Sequence, residues 1–242
     1  MAEHLQKADF YEEFWADSNR QLMYAFDSAV RDRFPAIQRV WGTMKPPRRV
    51  LDFGCGNGVL SYWMFANGFA EEVVAADISR TGIEFARQRF GQPGLDYVKL
   101  QDEERLASLG TFDAVVSSHV LEHLDNPLDV LRSLRKLADW YVFEVPLERC
   151  LLQDVVWRLR RNHPRTDNPV GHVQFWNRSA FRSLLAEVGL FVVREYHYAS
   201  APFSPYTGPA KRLAERVLLS SLGTTGYSRL MATHYAVLAR AI

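Results

Sequence analysis

Three glycines follow a short apolar segment in the run VLDFGCGNG, which spans Val50 to Gly58. Glycine lets the backbone turn tightly and approach a ligand closely. Between a strand and a helix, such a loop presents amide groups at the positive end of the helix dipole, where a carboxylate or a phosphate binds well. The run therefore predicts a loop that binds an anionic part of a ligand.

An acidic residue, Asp77, ends the next predicted strand about 20 residues after the loop begins. At that spacing a carboxylate hydrogen-bonds a ribose hydroxyl of a bound nucleotide. The alternative interpretation makes the loop a plain turn and Asp77 the N-cap of the following helix. Loop and acid together favour a nucleotide-binding site.

The loop departs from the dinucleotide pattern G-x-G-x-x-G, because Val59 stands at the third glycine position. Asp52, at the end of the first strand, would repel a pyrophosphate but could bind a cation or an amino group. An oxidoreductase of the NAD type and a non-catalytic cofactor-binding module remain as alternatives. Cofactor titration identifies the oxidoreductase, because hydride-transferring enzymes bind nicotinamide. A test for group transfer identifies the non-catalytic module, because such a module binds a cofactor but transfers no group.

Strands and helices alternate from Arg48 onward, which implies right-handed crossovers and a parallel, doubly wound α/β sheet. Apolar strand cores such as AVVS indicate that both faces of the sheet are covered. The predicted strands are 50–53, 72–76, 97–100, 112–117, 140–145 (closed by Pro146), 190–196 and 234–239. The predicted helices are 59–67, 80–90, 127–138, 179–188 and 209–219, after a helical segment at 1–45.

The length of 242 residues and the 48% hydrophobic content fit one domain with a full core. With 29 basic and 28 acidic residues, no global field favours nucleic acid or an anionic membrane, and we expect no nucleic-acid partner. Only Cys55 and Cys150 occur, so a reducing compartment is expected rather than a disulfide framework. No apolar stretch reaches the roughly 18–20 residues of a membrane span, and the N-terminus lacks an apolar signal core. We therefore expect a cytoplasmic protein.

Several of these stretches resemble the motifs of class I S-adenosylmethionine-dependent methyltransferases, and the nearest branch is the small-molecule, ubiquinone-biosynthesis-like type. VLDFGCGNG resembles their first motif, hLDhGCGxG, and AADIS resembles the second. KLQDE resembles their acidic third motif, and FDAVVSSHVLEHLDNP resembles their fourth-strand motif. GHVQFWNRSAFRSLLAEVGL resembles their late segment, and HYAVLARA resembles their closing strand. The likeness covers residues 48–147 and 171–198.

The resemblance implies a Rossmann-like, mostly parallel seven-stranded sheet with helices on both faces, all in one domain over 1–242. It further implies an N-terminal helical lid over 1–45 and small cap insertions at 148–170 and 199–230. Tyr11, Phe14 and Trp15 would then cover the cofactor, although they could equally belong to the core.

The resemblance also implies S-adenosylmethionine as the cofactor, held by residues that follow the first four strands. They are Asp52 for the ammonium group, Gly54, Cys55 and Gly56 for the methionine part, Asp77 for the ribose, Ile78, Asp102 and Glu103 for the adenine, and the backbone at Ser118 and His119 for the methionine end.

A hydroxyl acceptor needs a base, and histidine titrates near neutral pH. His119 and His172 are the predicted catalytic residues, although His172 could simply hydrogen-bond a loop. His119, Glu122 and His123 also spell H-x-x-E-H, a zinc-peptidase pattern that requires a long helix. Because this pattern begins where a strand ends, and no acidic ligand cluster can be assembled from the sequence, we expect no bound metal.

We expect a small-molecule acceptor methylated on a hydroxyl or carboxylate oxygen. The insertion at 148–170 clusters arginines around His163, and arginine forks suit phosphate or carboxylate groups. This composition leads to the hypothesis of an anionic acceptor, against the alternative of a solvated helix. The arginines are Arg158, Arg160, Arg161 and Arg165.

Overall fold

One seven-stranded sheet forms the centre of the protein. The computed structural model describes residues 2–160 and 171–242, and the side chains of these except at 2–8, 18–21, 103–104 and 160. The strands are Arg49–Phe53 (β1), Glu72–Asp77 (β2), Leu95–Lys99 (β3), Ala114–Ser118 (β4), Trp140–Leu147 (β5), Leu190–Tyr198 (β6) and Thr233–Ala241 (β7). Their order is β3-β2-β1-β4-β5-β7-β6, and β7 runs antiparallel to both of its neighbours.

Helices cover both faces of the sheet. They are Ala2–Ala16 (α1), Ser18–Ser28 (α2), Phe34–Trp41 (α3), Val59–Ala66 (α4), Arg80–Phe90 (α5), Glu103–Ala107 (α6), Pro127–Leu134 (α7), Leu151–Arg160 (α8), Arg178–Glu187 (α9) and Pro209–Leu230 (α10). A π-helical turn, Ala29–Arg33, joins α2 to α3, and a 3₁₀ turn, Leu121–His123, follows β4.

Neighbouring residues of β1 face two different cores, as expected for a sheet covered on both sides. Val50 packs in the core that contains Ile37 of α3 and Met64 of α4. Leu51 packs in the opposite core, together with Phe181 of α9. The predicted α/β, doubly wound, mostly parallel fold is confirmed, as is the helical character of the N-terminal segment.

The prediction that Pro146 closes the fifth strand is wrong, because β5 continues to Leu147. The neighbouring strand β4 ends opposite Glu144, so only β7 pairs with β5 beyond that point. A proline lacks the donor that a doubly paired strand needs, but a singly paired stretch tolerates it. β5 therefore carries its last residues past the end of β4.

Two helices differ in length from the prediction. α10 continues to Leu230, well beyond the predicted end at 219, with a non-helical Gly223 (φ 63°, ψ 174°) that kinks it. α7 ends at Leu134, four residues before the predicted end. The short α6 and the 3₁₀ turn were not predicted, because elements of three to five residues leave no periodic pattern. Residues 161–170 of the predicted cap lie outside the described residues.

The topology brings the functional candidates to one edge of the sheet. The carboxyl ends of the parallel strands β1, β2, β4 and β5 meet there, and the antiparallel β7 begins there, since Thr233 lies opposite Leu147. Ligands of open α/β sheets bind at this edge.

None of the described helices, including the 22-residue α10, combines the length and the apolar character needed to cross a membrane.

Two glycines with similar backbone angles provide a test of the close packing beneath the loop. Gly58 (φ +77°) and Gly68 (φ +67°) both have a positive φ, a backbone conformation that favours glycine. A β-carbon at position 58 would lie 2.6 Å from Ala86 and Tyr97, whereas a β-carbon at position 68 would have nothing within 4 Å. We expect Gly68→Ala to cost about 1–2 kcal/mol from backbone strain alone. Gly58→Ala should cost a further 1–3 kcal/mol or so from overpacking. Urea unfolding of both variants measures the difference, and equal losses would contradict close packing at Gly58.

Candidate functional site

The glycine loop is fastened to the end of β2. The amides of Gly54 and Cys55 donate to the carbonyl oxygen of Ala76, at 2.7 and 3.1 Å, and the amide of Gly58 donates to Cys55. Gly56 donates to Asp77. These four amides are therefore engaged within the protein.

Asp77 connects the loop to the next helix. The amide of Gly56 donates to its Oδ2 and the amide of Ser79 to its Oδ1, both at 2.8 Å. Burial raises the pKa of this carboxyl, although the amide hydrogen bonds favour its charged form. The N-cap of α5 is Ser79, whose Oγ accepts from Gly82. The alternative interpretation of Asp77 as a helix cap is therefore excluded.

Two further residues of the predicted set are Asp52 near the end of β1 and Cys55 in the loop itself. Asp52 is buried, and its Oδ2 accepts from Ser61 Oγ at 2.5 Å. Burial raises the pKa of Asp52 to about 6, even though the Ser61 hydrogen bond acts in the opposite direction. Burial also raises the pKa of the Cys55 thiol well above its ordinary value, so this residue is a neutral thiol and not a nucleophile.

The predicted adenine-binding residues lie at the ends of β2 and β3. Ile78 directly follows Asp77 and leaves 38% of its surface exposed, which is unusual for an isoleucine next to a buried strand. Asp102 accepts the amide of Arg105 at 2.7 Å and so caps α6. Glu103 begins α6, and its side chain lies outside the described set.

The N-terminal helix α1 lies across the loop and the start of α5. The carboxylate of Glu12 accepts the amides of Arg80 and Thr81, at 2.7 and 2.8 Å. The ring of Trp15 packs directly on Gly56, where any side chain would collide with it. Tyr11 packs edge-on against the ring of His123. All three contacts place the aromatic face of α1 over the candidate site.

A histidine–glutamate cluster occupies the neighbouring part of the same edge. It consists of His119, Glu122, Glu144, His172 and His234, flanked by His123 and Glu148. His119 lies between the two buried glutamates, with Nδ1 3.1 Å from Glu122 Oε1 and Nε2 3.2 Å from Glu144 Oε1. Three-residue groups within this region bring their ligand atoms within 4.8 Å of one another: His119, Glu144 and His234, and Glu122, His123 and His172.

His119 is unusual in conformation and in charge. Its φ of 56° is the only positive value for a non-glycine residue among the described residues, and such strain concentrates at functional sites. Burial opposes a charged imidazole, but Glu144 and Glu122 outweigh it and raise the pKa of His119 to about 10. The residue is therefore protonated near neutral pH, which does not suit the predicted role of a general base.

His172, the other predicted base, lies against a carboxylate. Its Nδ1 is 2.7 Å from Glu148 Oε2, and its ring is buried. A carboxylate at Nδ1 fixes the proton there and leaves Nε2 as the acceptor. Ser118, predicted to contact the cofactor through its backbone, directs its side chain into the cluster and donates to Glu144 Oε2 at 2.5 Å.

Sequence reasoning missed Glu144, Glu148, His234 and Glu12 as members of this edge. A signal existed for Glu144, because a charged residue in the middle of the apolar strand YVFEV must have a buried partner. For His234 and Glu12 there was none, since their partners lie on elements far away in the chain.

A model of the family described as a methyltransferase domain matches residues 8–195, which is well over half of the chain. The chain belongs to this methyltransferase family. Its members use S-adenosylmethionine, and the predicted family with its cofactor is confirmed at this level.

Individual relatives match over shorter stretches. A ubiquinone biosynthesis O-methyltransferase of Caulobacter vibrioides is 41% identical over 91 residues, which are 36% of this chain and 35% of that protein. The chain therefore spans about a third of this curated relative. A methyltransferase structure from Anabaena variabilis has a TM-score of 0.64 at 14% identity, covering 97% of this chain and 95% of that one. One from Mesorhizobium loti has a TM-score of 0.56 at 18% identity, covering 86% and 97%; both similarities show the fold alone.

The residues at the edge of the sheet fit this cofactor. Each oxygen of Asp77 accepts one amide, which leaves lone pairs for ribose hydroxyls. Ile78 offers an exposed apolar surface to an adenine ring. In the loop, the buried Nδ2 of Asn57 has no hydrogen-bond partner within residues 2–160 and 171–242, so it is a donor without an acceptor.

The contact of Glu12 with α5 generates a prediction about the docking of α1. Burial alone would raise the pKa of Glu12, but hydrogen bonds from Thr81 and Arg80 lower it from 4.5 to about 2. The docking contribution should therefore be complete above pH 4.5 and be lost as the pH falls toward 2. We expect Glu12→Ala to increase amide hydrogen exchange in residues 2–16 at pH 7, while Glu13→Ala, at an exposed neighbour, leaves it unchanged. Equal exchange in the two variants would show that Glu12 does not hold α1.

Proposed function

We propose that the protein transfers the methyl group of S-adenosylmethionine to an oxygen of a small molecule, a hydroxyl or a carboxylate. The observation that carries the proposal is the position of the buried His172, paired with Glu148, on the same sheet edge as the glycine loop and Asp77. The O-methyltransferase activity named for the relatives of ubiquinone biosynthesis supports an oxygen acceptor.

The cofactor would lie between the loop and α1, in the place where Trp15 packs on Gly56, so its binding would move the Trp15 ring off the loop. The glycine loop would support its methionine part, Asp77 would hold the ribose hydroxyls, and Ile78 would pack on the adenine. Asp102 would accept from the adenine amino group, and Trp15 on α1 would cover the bound molecule as a lid. S-adenosylmethionine supplies a methyl group already activated by its sulfonium, so the protein's tasks are positioning and exclusion of water.

Proton removal from a hydroxyl acceptor is assigned to His172. Glu148 holds the Nδ1 proton, and Nε2 takes the acceptor's proton as the oxygen attacks the methyl carbon. S-adenosylmethionine bound at this edge would supply the methyl carbon for the new O–C bond, and its sulfur would keep the electron pair of the C–S bond. A carboxylate acceptor would need no base, because it is already ionised near neutral pH.

The cap at 148–170 is proposed to contact the acceptor. Its helix α8 packs through Trp157 on Phe175, three residues from His172, with ring centroids 4.9 Å apart. Arg158 lies on this helix and is exposed, whereas Arg161, His163 and Arg165 lie outside the described residues. That these arginines bind an anionic acceptor remains a prediction.

We also propose a reducing, cytoplasmic location, which the two free thiols of Cys55 and Cys150 support.

The role of Asp77 can be tested by a change that keeps its shape. Asp77→Asn removes the charge that would bind ribose and one of the two oxygens that accept amides, so we expect the dissociation constants of S-adenosylmethionine and of its demethylated product to rise about tenfold to over a hundredfold. Isothermal titration measures both. Thermal unfolding reports separately on the lost acceptor. The exposed Asp96→Asn on β3 is the control, and an unchanged affinity in Asp77→Asn would remove Asp77 from the binding site.

The proposed base requires a kinetic test. With labelled S-adenosylmethionine and a panel of phenols, alcohols and carboxylic acids, each with and without a phosphate or carboxylate substituent, we expect label in an oxygen acceptor. For a hydroxyl acceptor, His172→Asn should lower kcat by about 10²–10⁴ with cofactor affinity unchanged. His197→Gln, a histidine outside the cluster, serves as the control. Full turnover in His172→Asn would contradict the proposed base.

A further inference from the structure

We propose that His119, Glu144 and His234 form a binding site for a divalent transition-metal ion, with zinc as the best fit. The three residues come from the end of β4, from β5 and from the start of β7. This is the reverse of the expectation from the sequence, where no ligand cluster could be assembled.

Two of the three distances between ligand atoms are close to those of a tetrahedral metal site, and all three atoms lie within 4.8 Å of one another. Glu144 Oε1 lies 3.2 Å from His119 Nε2 and 3.3 Å from His234 Nδ1. Two ligand atoms on a tetrahedral zinc ion lie roughly 3.3–3.4 Å apart, given bonds of about 2.0–2.1 Å. Charge-assisted hydrogen bonds are shorter, about 2.7–2.9 Å, and the His172–Glu148 pair in this protein has that length, 2.7 Å.

An unsatisfied nitrogen points in the same direction. His234 Nδ1 is buried and has no hydrogen bond within the described part of the chain, although Glu144 lies close to it. Buried polar atoms almost always have a partner, so each exception requires an explanation. A metal ion between the imidazole and the carboxylate would use this lone pair.

The neighbouring residues hold the ligands as the outer shell of a metal site does. The other ring nitrogen of His119 faces the buried carboxylate of Glu122 at 3.1 Å, in the manner of a carboxylate–histidine–zinc arrangement. Glu144 is held by Ser118 Oγ on one oxygen, at 2.5 Å, and by the Tyr198 hydroxyl on the other, at 2.9 Å. A divalent ion would displace the proton from Nε2 of His119 into solvent, and the charges of Glu122 and Glu144 would balance the ion.

A cavity of about 70 Å³ adjoins the two histidines and is also lined by Tyr198 and Arg33. Three protein ligands beside an open space are typical of a catalytic zinc site, in which the fourth position takes water or substrate. If the proposed function holds, an acceptor hydroxyl in that position would lose its proton more readily, because the cation stabilises the oxyanion. The metal site itself does not depend on that role.

The other histidine group of this edge fits less well. His172 Nε2 lies 4.0 Å from Glu122 Oε1, and its Nδ1 is already held by Glu148. The ligand set therefore takes only His119 from the H-x-x-E-H pattern and completes it with residues of β5 and β7.

Metal binding can be measured on the full chain without any acceptor. The chelator-treated protein is titrated with Co²⁺, read by its visible ligand-field absorption, and with Zn²⁺ by calorimetry. We expect one ion per chain, with an absorption typical of four-coordinate cobalt. His234→Gln should weaken binding by more than about a hundredfold, since even outer-shell changes cost 10–100-fold. His197→Gln, on the adjacent strand, should bind as the wild type does.

A second variant, Glu144→Gln, tests the metal site further, and titration with the demethylated cofactor tests the proposed function. Glu144→Gln should also lose the metal, and thermal unfolding shows whether the buried change has affected folding. Failure of the wild type to bind either ion, or loss of binding in His172→Gln with binding retained in His234→Gln, would overturn the site. Titration with the demethylated cofactor in the same samples tests the proposed function separately, because the glycine loop follows β1 and Asp77 ends β2, whereas the three ligands come from the end of β4, from β5 and from β7.

Discussion

The buried carboxylate of Asp77 connects the parts of the cofactor edge. It receives the amide of Gly56 from the loop after β1 and the amide of Ser79 before α5. A charge taken out of water is costly unless hydrogen bonds compensate it, so this residue fixes the loop and the start of α5 in one geometry. The surface of α5 that receives α1 depends on that geometry in turn.

Buried charge also organises the second half of the edge. Glu122 and Glu144 are almost completely inaccessible to solvent, and His119 lies between them. Such a group can be stable only with opposite charge inside it, supplied by a protonated imidazole or by a cation. Burial would raise the pKa of Glu144, but His119 and His234 hold it well below its ordinary value. Either the protonated imidazole or a bound cation therefore keeps the two carboxylates ionised beside the proposed acceptor site.

The N-terminal helix links these two halves. Glu12 and Trp15 contact α5 and the glycine loop, while Tyr11 reaches His123 at the margin of the cluster. Because α1 is attached by side-chain contacts rather than by sheet pairing, its separation from the edge would break no strand pairing. That property suits the proposed role of α1 as a lid over the cofactor.

The sequence by itself determined the alternation of strands and helices, the glycine loop and the acid that follows β2, because these depend on local periodicity and short spacing. It misjudged the end of β5, since the tolerance for Pro146 depends on where the neighbouring strand stops. Only the tertiary structure placed Glu144 and His234 beside His119, Glu148 beside His172, and Glu12 on α5. Those partners are separated by 24 to 115 residues and meet because parallel strands, an antiparallel last strand and a docked helix share one edge of the sheet.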